Sequence, residues 1–165
     1  MANPLYGQNK FDGQADNKCG EIIHVEATSD GTIASPTATL TASNAGNVYM
    51  CDISDGTAAF VLPTCADVKG MEVTFILDIS SDTEASKDLM IASASTTEFI
   101  IGPCHDGGTI HEADVDNDQI IFDTSSGEAG GGDRIKLLCD GRHWYVLDCT
   151  TLTAGALVSG TATRS

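Results

Sequence analysis

Three aspartates at alternate positions form the most suggestive metal-binding pattern in the chain. The run Asp114-Val-Asp116-Asn-Asp118 has the spacing that opens an EF-hand loop, in which side-chain oxygens at alternate positions bind Ca²⁺. An EF-hand also requires glycine at loop position six and glutamate at position twelve. The chain has Gln119 and Ser125 at those positions, so the run is not an EF-hand. Asp114, Asp116 and Asp118 remain candidate ligands of a looser calcium site between strands; the alternative, which we favour, is a solvated acidic turn.

A cysteine and two histidines offer a second set of candidate ligands. Cys104 and His105 are adjacent, and His111 follows across a glycine-containing loop. Structural zinc sites need four ligands and usually contain a CxxC pair, which this chain lacks. The alternative is a turn cysteine with surface histidines, so we expect no bound metal.

Motifs for covalent catalysis and phosphate binding are missing from the sequence. It contains neither Gly-x-Ser-x-Gly nor Ser-x-x-Lys, and the glycine run at 130–132 lacks the Lys-Ser/Thr pair of a P-loop. Aromatic residues make up only 5% of the chain, which argues against a sugar-cleaving groove. We therefore predict that the protein is not an enzyme and uses no cofactor.

The charge of the chain limits its partners. Its 24 acidic and 8 basic residues give a net charge of −16, so nucleic acid and anionic membranes would repel it. Basic protein surfaces, divalent cations and neutral ligands such as glycans remain, and the alternative is that the charge only maintains solubility.

The six cysteines include no CxxC pair, and four of them, at 51, 65, 139 and 149, lie in or beside apolar strands. We expect small buried side chains with reduced thiols.

Short apolar segments separated by turn residues predict an all-β fold. The expected strands are 21–27, 33–41, 47–53, 58–62, 71–79, 88–94, 98–101, 119–123, 134–139 and 142–147. Their number and spacing predict an antiparallel β-sandwich or jelly-roll-like domain over residues 19–149. Residues 1–18 are predicted to form an extended N-terminal arm, with Pro4, Leu5, Tyr6 and Phe11 as its contact residues. Residues 150–165 are predicted to be an edge strand or an extended tail.

One hairpin near the C-terminus is the strongest local prediction. Asp140-Gly141 is typical of a two-residue type I′ turn, which would pair Leu137 with Trp144 and Ile135 with Val146. The strand at 71–79 alternates apolar and polar residues, as expected for a sheet with one buried face. The predicted core comprises Leu62, Val73, Phe75, Leu77, Ile135, Leu137, Trp144 and Val146.

The start of the sequence bears on where the protein is made. Residues 1–13 contain no apolar run, so we expect no secretory signal peptide. The sequence also contains no stretch of 18 apolar residues. These features predict synthesis and folding in a cytosol.

Two groups of residues resemble small β-domain virion proteins of tailed bacteriophages. One group comprises 40–46, 60–63, 69–70 and 73–76, and the other comprises 134–141 and 144–147. The opening Met1–Asp12 is similar to the starts of structural proteins from marine and cyanobacterial phages. The resemblance implies a capsid decoration (cement) protein on the outer surface of the virion, assembled in the host cytoplasm. It further implies the major capsid protein as partner, an arm that links neighbouring capsid subunits, and a homotrimer.

The alternative function is a tail-fibre or head-fibre module that binds a host receptor or glycan. Tyr49, Tyr145 and the 104–118 loop are the candidate contacts for such a ligand.

Overall fold

A computed structural model describes residues 20–78, 87–113, 117–124 and 129–164. The described chain is mostly β-structure, which confirms the predicted class, and two short 3₁₀ turns lie at Ala42–Asn44 and Cys65–Asp67. The twelve strands within the described ranges are β1 (Ile22–Glu26), β2 (Ala38–Thr39), β3 (Val48–Asp52), β4 (Ala58–Val61), β5 (Glu72–Leu77), β6 (Asp88–Ala92), β7 (Ile100–Asp106), β8 (Thr109–Ala113), β9 (Gln119–Asp123), β10 (Arg134–Cys139), β11 (Trp144–Thr151) and β12 (Leu157–Gly160). No helix in these ranges is long and apolar enough to cross a membrane.

The strands form two sheets, and both sheets are mixed rather than antiparallel. The large sheet has the order β1-β3-β5-β10-β11-β7-β8, and the small sheet has the order β12-β9-β6-β4-β2. In the large sheet β1, β3 and β5 run parallel to one another, and β7 runs parallel to β11. In the small sheet β2, β4 and β6 are parallel. The prediction of a purely antiparallel fold was therefore wrong.

The parallel pairing arises because the first six strands alternate between the two sheets. The chain passes through the small sheet each time before it returns to the large one, and this passage supplies the crossover that parallel neighbours need. In the large sheet Ile22 pairs with Val48, and Val48 with Thr74, a constant spacing of 26 residues. Strands β1 to β6 therefore form successive parallel coils. On these coils β10 pairs antiparallel with β5, and β9 pairs antiparallel with β6.

Glycines allow the first two coils to approach closely. A β-carbon on Gly20 would lie 1.6 Å from the carbonyl oxygen of Gly46, so only glycine fits at this contact. A β-carbon on Gly56 would lie 2.5 Å from the carbonyl oxygen of Ser29. Both contacts join equivalent turns of successive coils and fix the distance between them.

Side chains from both sheets share one hydrophobic core. The Tyr49 and Phe75 rings of the large sheet meet the Phe60 ring of the small sheet, with centroids 5.3 and 4.9 Å away. Most of the predicted core side chains are at most 1% exposed: Leu62, Val73, Phe75, Leu77, Ile135, Leu137 and Trp144. Val146 is only partly buried, and it packs against this cluster.

The C-terminal hairpin has a different register from the predicted one. Its connection is a four-residue loop from Asp140 to His143, and Leu137 pairs with Val146 rather than with Trp144. The Asp140 carboxylate accepts hydrogen bonds from the backbone N–H groups of Arg142 (2.7 Å) and His143 (2.8 Å) and so stabilises the longer loop. Because the shift is two residues, each side chain keeps its face, and Trp144 still points into the core.

Candidate functional site

Of the three candidate calcium ligands, the structure describes only Asp118. Asp118 is 1% exposed and forms an ion pair with Arg164 at 2.6 Å, while its other oxygen accepts a hydrogen bond from the Ala162 N–H at 2.7 Å. Asp114 and Asp116 lie outside the described residues. In the part of the chain that the structure describes, no three acidic, histidine or cysteine side chains converge as metal ligands.

The segment with the candidate zinc ligands Cys104, His105 and His111 is a hairpin of β7 and β8. Cys104 pairs in register with His111 across this hairpin. The Cys104 side chain is buried and the neighbouring His105 is exposed, so the two adjacent residues face opposite sides of the sheet. This geometry separates the candidate ligands Cys104 and His105.

The described cysteines are buried thiols, and none of the five forms a disulfide. Burial raises the pKa of Cys51 to about 12. Burial and a hydrogen bond to Cys139 raise the pKa of Cys65, and a hydrogen bond to Cys104 and burial raise that of Cys149. The thiols of Cys51, Cys65 and Cys149 are therefore protonated at neutral pH and are poor nucleophiles.

Three buried carboxylates hold the C-terminal segment against the rest of the fold. Asp106 accepts hydrogen bonds from the Thr151 hydroxyl at 2.7 Å and from the Gly155 N–H at 2.8 Å. Asp133 accepts one from the Leu152 N–H at 3.0 Å. Asp118 binds Ala162 and Arg164, as described above, and β12 forms an edge of the small sheet. Residues 151–164 are therefore anchored along most of their length, and these carboxylates serve the fold.

Asp30, Asp88 and Asp123 form a further acidic group, which we call the acidic corner. Asp30 accepts hydrogen bonds from the Lys87 ammonium at 2.8 Å and from the Thr57 N–H at 3.0 Å, and these two donors lower its pKa. Burial, and then the charge of Asp123, raise the pKa of Asp88. One buried oxygen of Asp88 has no hydrogen-bond partner within the described ranges. The site of Asp88 thus disfavours its charged form.

The candidate glycan contacts are also separated. Tyr49 is 3% exposed and its ring stacks on Phe75, so it offers no surface to a ligand. Tyr145 is 37% exposed on β11. Residues 104–106 and 109–113 of the expected loop belong to β7 and β8.

An apolar row crosses the outer face of the large sheet. Tyr145 lies in register between Leu138 on β10 and Ile101 on β7, and both neighbours are partly exposed. Leu147, which is 49% exposed, is the extra residue of a bulge in β11. We call these four residues the apolar row.

Two ion pairs border this row. Lys136 binds Glu72 at 2.6 Å and Arg134 binds Asp148 at 2.7 Å. Apolar surface with a polar border is typical of protein-binding sites. Sequence reasoning named Tyr145 as a candidate contact but did not place Leu138, Ile101 and Leu147 beside it, because their positions depend on the pairing of β11 with both neighbouring strands.

A groove lies beside the two 3₁₀ turns. The larger part of the groove is a hollow of about 320 Å³, whose lining includes the buried residues Leu40, Leu62 and Val68. An adjoining hollow of about 280 Å³ is also lined by Val68 and extends to Ala45 and Lys69. We call the two hollows together the aliphatic groove.

Comparisons with protein-family models, curated proteins and solved structures found no match to this chain.

Proposed function

We propose that the chain is a structural protein of a tailed-phage virion, which binds the outer face of the head and stabilises the lattice of the major capsid protein. The resemblance of residues 40–46, 134–141 and 144–147 to virion β-domains supports this assignment. The strong negative charge suits a protein that remains soluble until it meets one specific surface.

The apolar row is the observation that carries the proposal. Tyr145 and Leu147 are exposed on β11, an inner strand of the large sheet, and Tyr145 is paired with a neighbouring strand on each side. A rigid apolar surface loses little conformational freedom when a partner covers it, so it is suited to binding another folded protein. A repeated lattice would present the same partner surface many times, and the predicted N-terminal arm would add a second contact to each copy.

Two further features belong to this proposal. We infer that the two sheets stack as a β-sandwich, an arrangement supported by the contacts of Tyr49 and Phe75 with Phe60. A homotrimer is expected from the resemblance, and light scattering would measure the mass of the purified protein.

Capsid binding can be tested with two surface variants. Leu147→Asp places a charge within the apolar row, and we expect it to weaken binding to purified heads more than tenfold, which corresponds to about 1.4 kcal/mol. Val158→Asp is the matched control, because Val158 is 42% exposed but lies on β12 of the other sheet. Equal binding by both variants and the unaltered protein would refute the role of the row.

The arm can be tested separately. Deletion of residues 1–18 should leave the circular dichroism spectrum of the β-domain unchanged and abolish attachment to heads. Normal attachment by the folded, shortened protein would show that the arm does not link capsid subunits.

A further inference from the structure

The aliphatic groove begins where the N-terminal segment joins the described chain. Gly20 packs on the backbone of Gly46, and the Glu21 N–H donates a hydrogen bond to Asn47 Oδ1 at 2.9 Å. Ala45, the residue before Gly46, lines the nearer hollow of the groove. Residues 1–19 therefore connect to the body of the protein beside one end of the groove.

The shape and lining of the groove suit one large apolar side chain. The larger hollow is lined by the partly exposed side chains of Val61, Pro63 and Ala94. The buried side chains of Leu40, Leu62 and Val68 complete this apolar lining. The larger hollow, about 320 Å³, is at the lower limit of sites for small ligands. Phe11 is the aromatic residue of the N-terminal segment nearest in sequence to Gly20.

The charges around the groove match those that flank Phe11. Asp67 and Lys69 are both exposed, and neither has an ion-pair partner among the residues that the structure describes. Phe11 is preceded by Lys10 and followed by Asp12.

The order of these charges also agrees. Asp12 is closer to Gly20 in the sequence than Lys10 is. Lys69 lines only the smaller hollow, which Ala45 also lines and which is nearer to Gly20, whereas Asp67 lines both hollows. A segment that enters from this end would bring Asp12 to Lys69 first.

We propose that Lys10–Asp12 of the same chain dock in the aliphatic groove of the free protein. The Phe11 ring fills the larger hollow, Asp12 pairs with Lys69, and Lys10 pairs with Asp67. The inference does not depend on the proposed function, because it concerns the isolated protein.

A short tether favours docking within one chain over exchange between two copies. Eight residues lie between Phe11 and Gly20, and this connection can span about 30 Å when extended, enough to reach a groove that starts beside Gly20. Such a tether gives an effective concentration in the millimolar range. The two lysines and two aspartates of residues 1–19 cancel, so the net charge of −16 lies on the rest of the chain and opposes close approach of a second copy.

Methyl NMR of the full-length protein tests this docking. The Phe11 ring should shift the methyl signals of Leu40 and Val68, and Phe11→Leu should return them to ordinary positions. Tyr6→Leu is the matched control and should leave these signals unchanged. Unchanged Leu40 and Val68 signals in Phe11→Leu would overturn the proposal, and so would shifts that disappear on dilution, because they would indicate exchange between copies.

A charge-reversal pair tests the orientation of the docked segment. Lys69→Asp should weaken docking and reduce the methyl shifts, and adding Asp12→Lys should restore them. Because Lys69 is exposed, the variant should keep its fold, and its unfolding midpoint checks this point. Failure of Asp12→Lys to restore the shifts in the folded variant would refute the proposed pairing.

Discussion

Replacement of Arg164 by alanine should destabilise the whole fold, although Arg164 lies next to the end of the chain. Its guanidinium binds the Asp118 carboxylate at 2.6 Å and the Ser93 carbonyl oxygen at 3.0 Å. The Asp118 side chain is only 1% exposed, so in Arg164→Ala its charge would remain buried with the Ala162 N–H as its described donor. The free energy of unfolding should fall because that charge loses its partner in a poorly hydrated site.

The expected loss follows from the exposure of the two side chains. Removing one partner of a buried ion pair costs about 3–5 kcal/mol. The Arg164 side chain is 21% exposed, so water can enter part of the vacated space and hydrate Asp118. We therefore expect the lower end of the range, about 3 kcal/mol. Asp118→Asn in the same variant should recover at least about 1 kcal/mol, because a neutral amide costs less to bury than an unpaired carboxylate.

Urea denaturation followed by fluorescence measures this loss directly. Trp144 is the single tryptophan and is fully buried, so its emission reports global unfolding. The midpoint should decrease in Arg164→Ala while the dependence on urea concentration stays constant. A loss below about 1 kcal/mol, or no recovery on adding Asp118→Asn, would refute the view that this pair anchors the C-terminal segment.

Two more substitutions test the core and the acidic corner. Trp144→Ala should lower the free energy of unfolding by about 3–5 kcal/mol, because the ring is fully buried. Thermal unfolding measures this loss, and a loss below about 1 kcal/mol would contradict the burial of the ring. Asp88→Asn should stabilise the protein at neutral pH, because burial and Asp123 raise the pKa of Asp88 and so penalise its charged form. The pKa of Asp88 is higher in the folded protein than in the unfolded chain, so the unaltered protein gains stability as the pH falls from the folded pKa to the unfolded pKa. The stability advantage of Asp88→Asn should therefore shrink on acidification. An advantage that does not vary with pH would exclude this electrostatic cause.

The strand content of this protein could be predicted from its sequence, but the direction of the strands could not. Alternation of apolar and polar residues identified β5 and β10, since a half-buried strand needs that pattern whether its neighbours are parallel or antiparallel. An internal repeat in the sequence could have indicated that the first strands form parallel coils. The segments 20–31 and 46–56 share a first glycine, an acidic residue before the turn and a final Ser-Asp-Gly.

The surroundings of the candidate site residues could not be predicted, because contacts between residues far apart in the sequence determine them. Asp118 looked like a calcium ligand because its neighbours in sequence are acidic, whereas its partner Arg164 is 46 residues away. Tyr49 looked like a surface aromatic, but the Phe60 and Phe75 rings bury it from two sheets. The hairpin at Asp140 took a longer loop because its carboxylate caps two backbone N–H groups, an interaction that the Asp-Gly signal does not reveal.

The number of copies per virion tests the central claim most directly. Quantitative mass spectrometry of purified virions gives the ratio of this chain to the major capsid protein. A protein that covers the lattice of the head should be present in hundreds of copies. A dozen copies or fewer would place it at a vertex, the portal or the tail, and would contradict its assignment as a decoration protein.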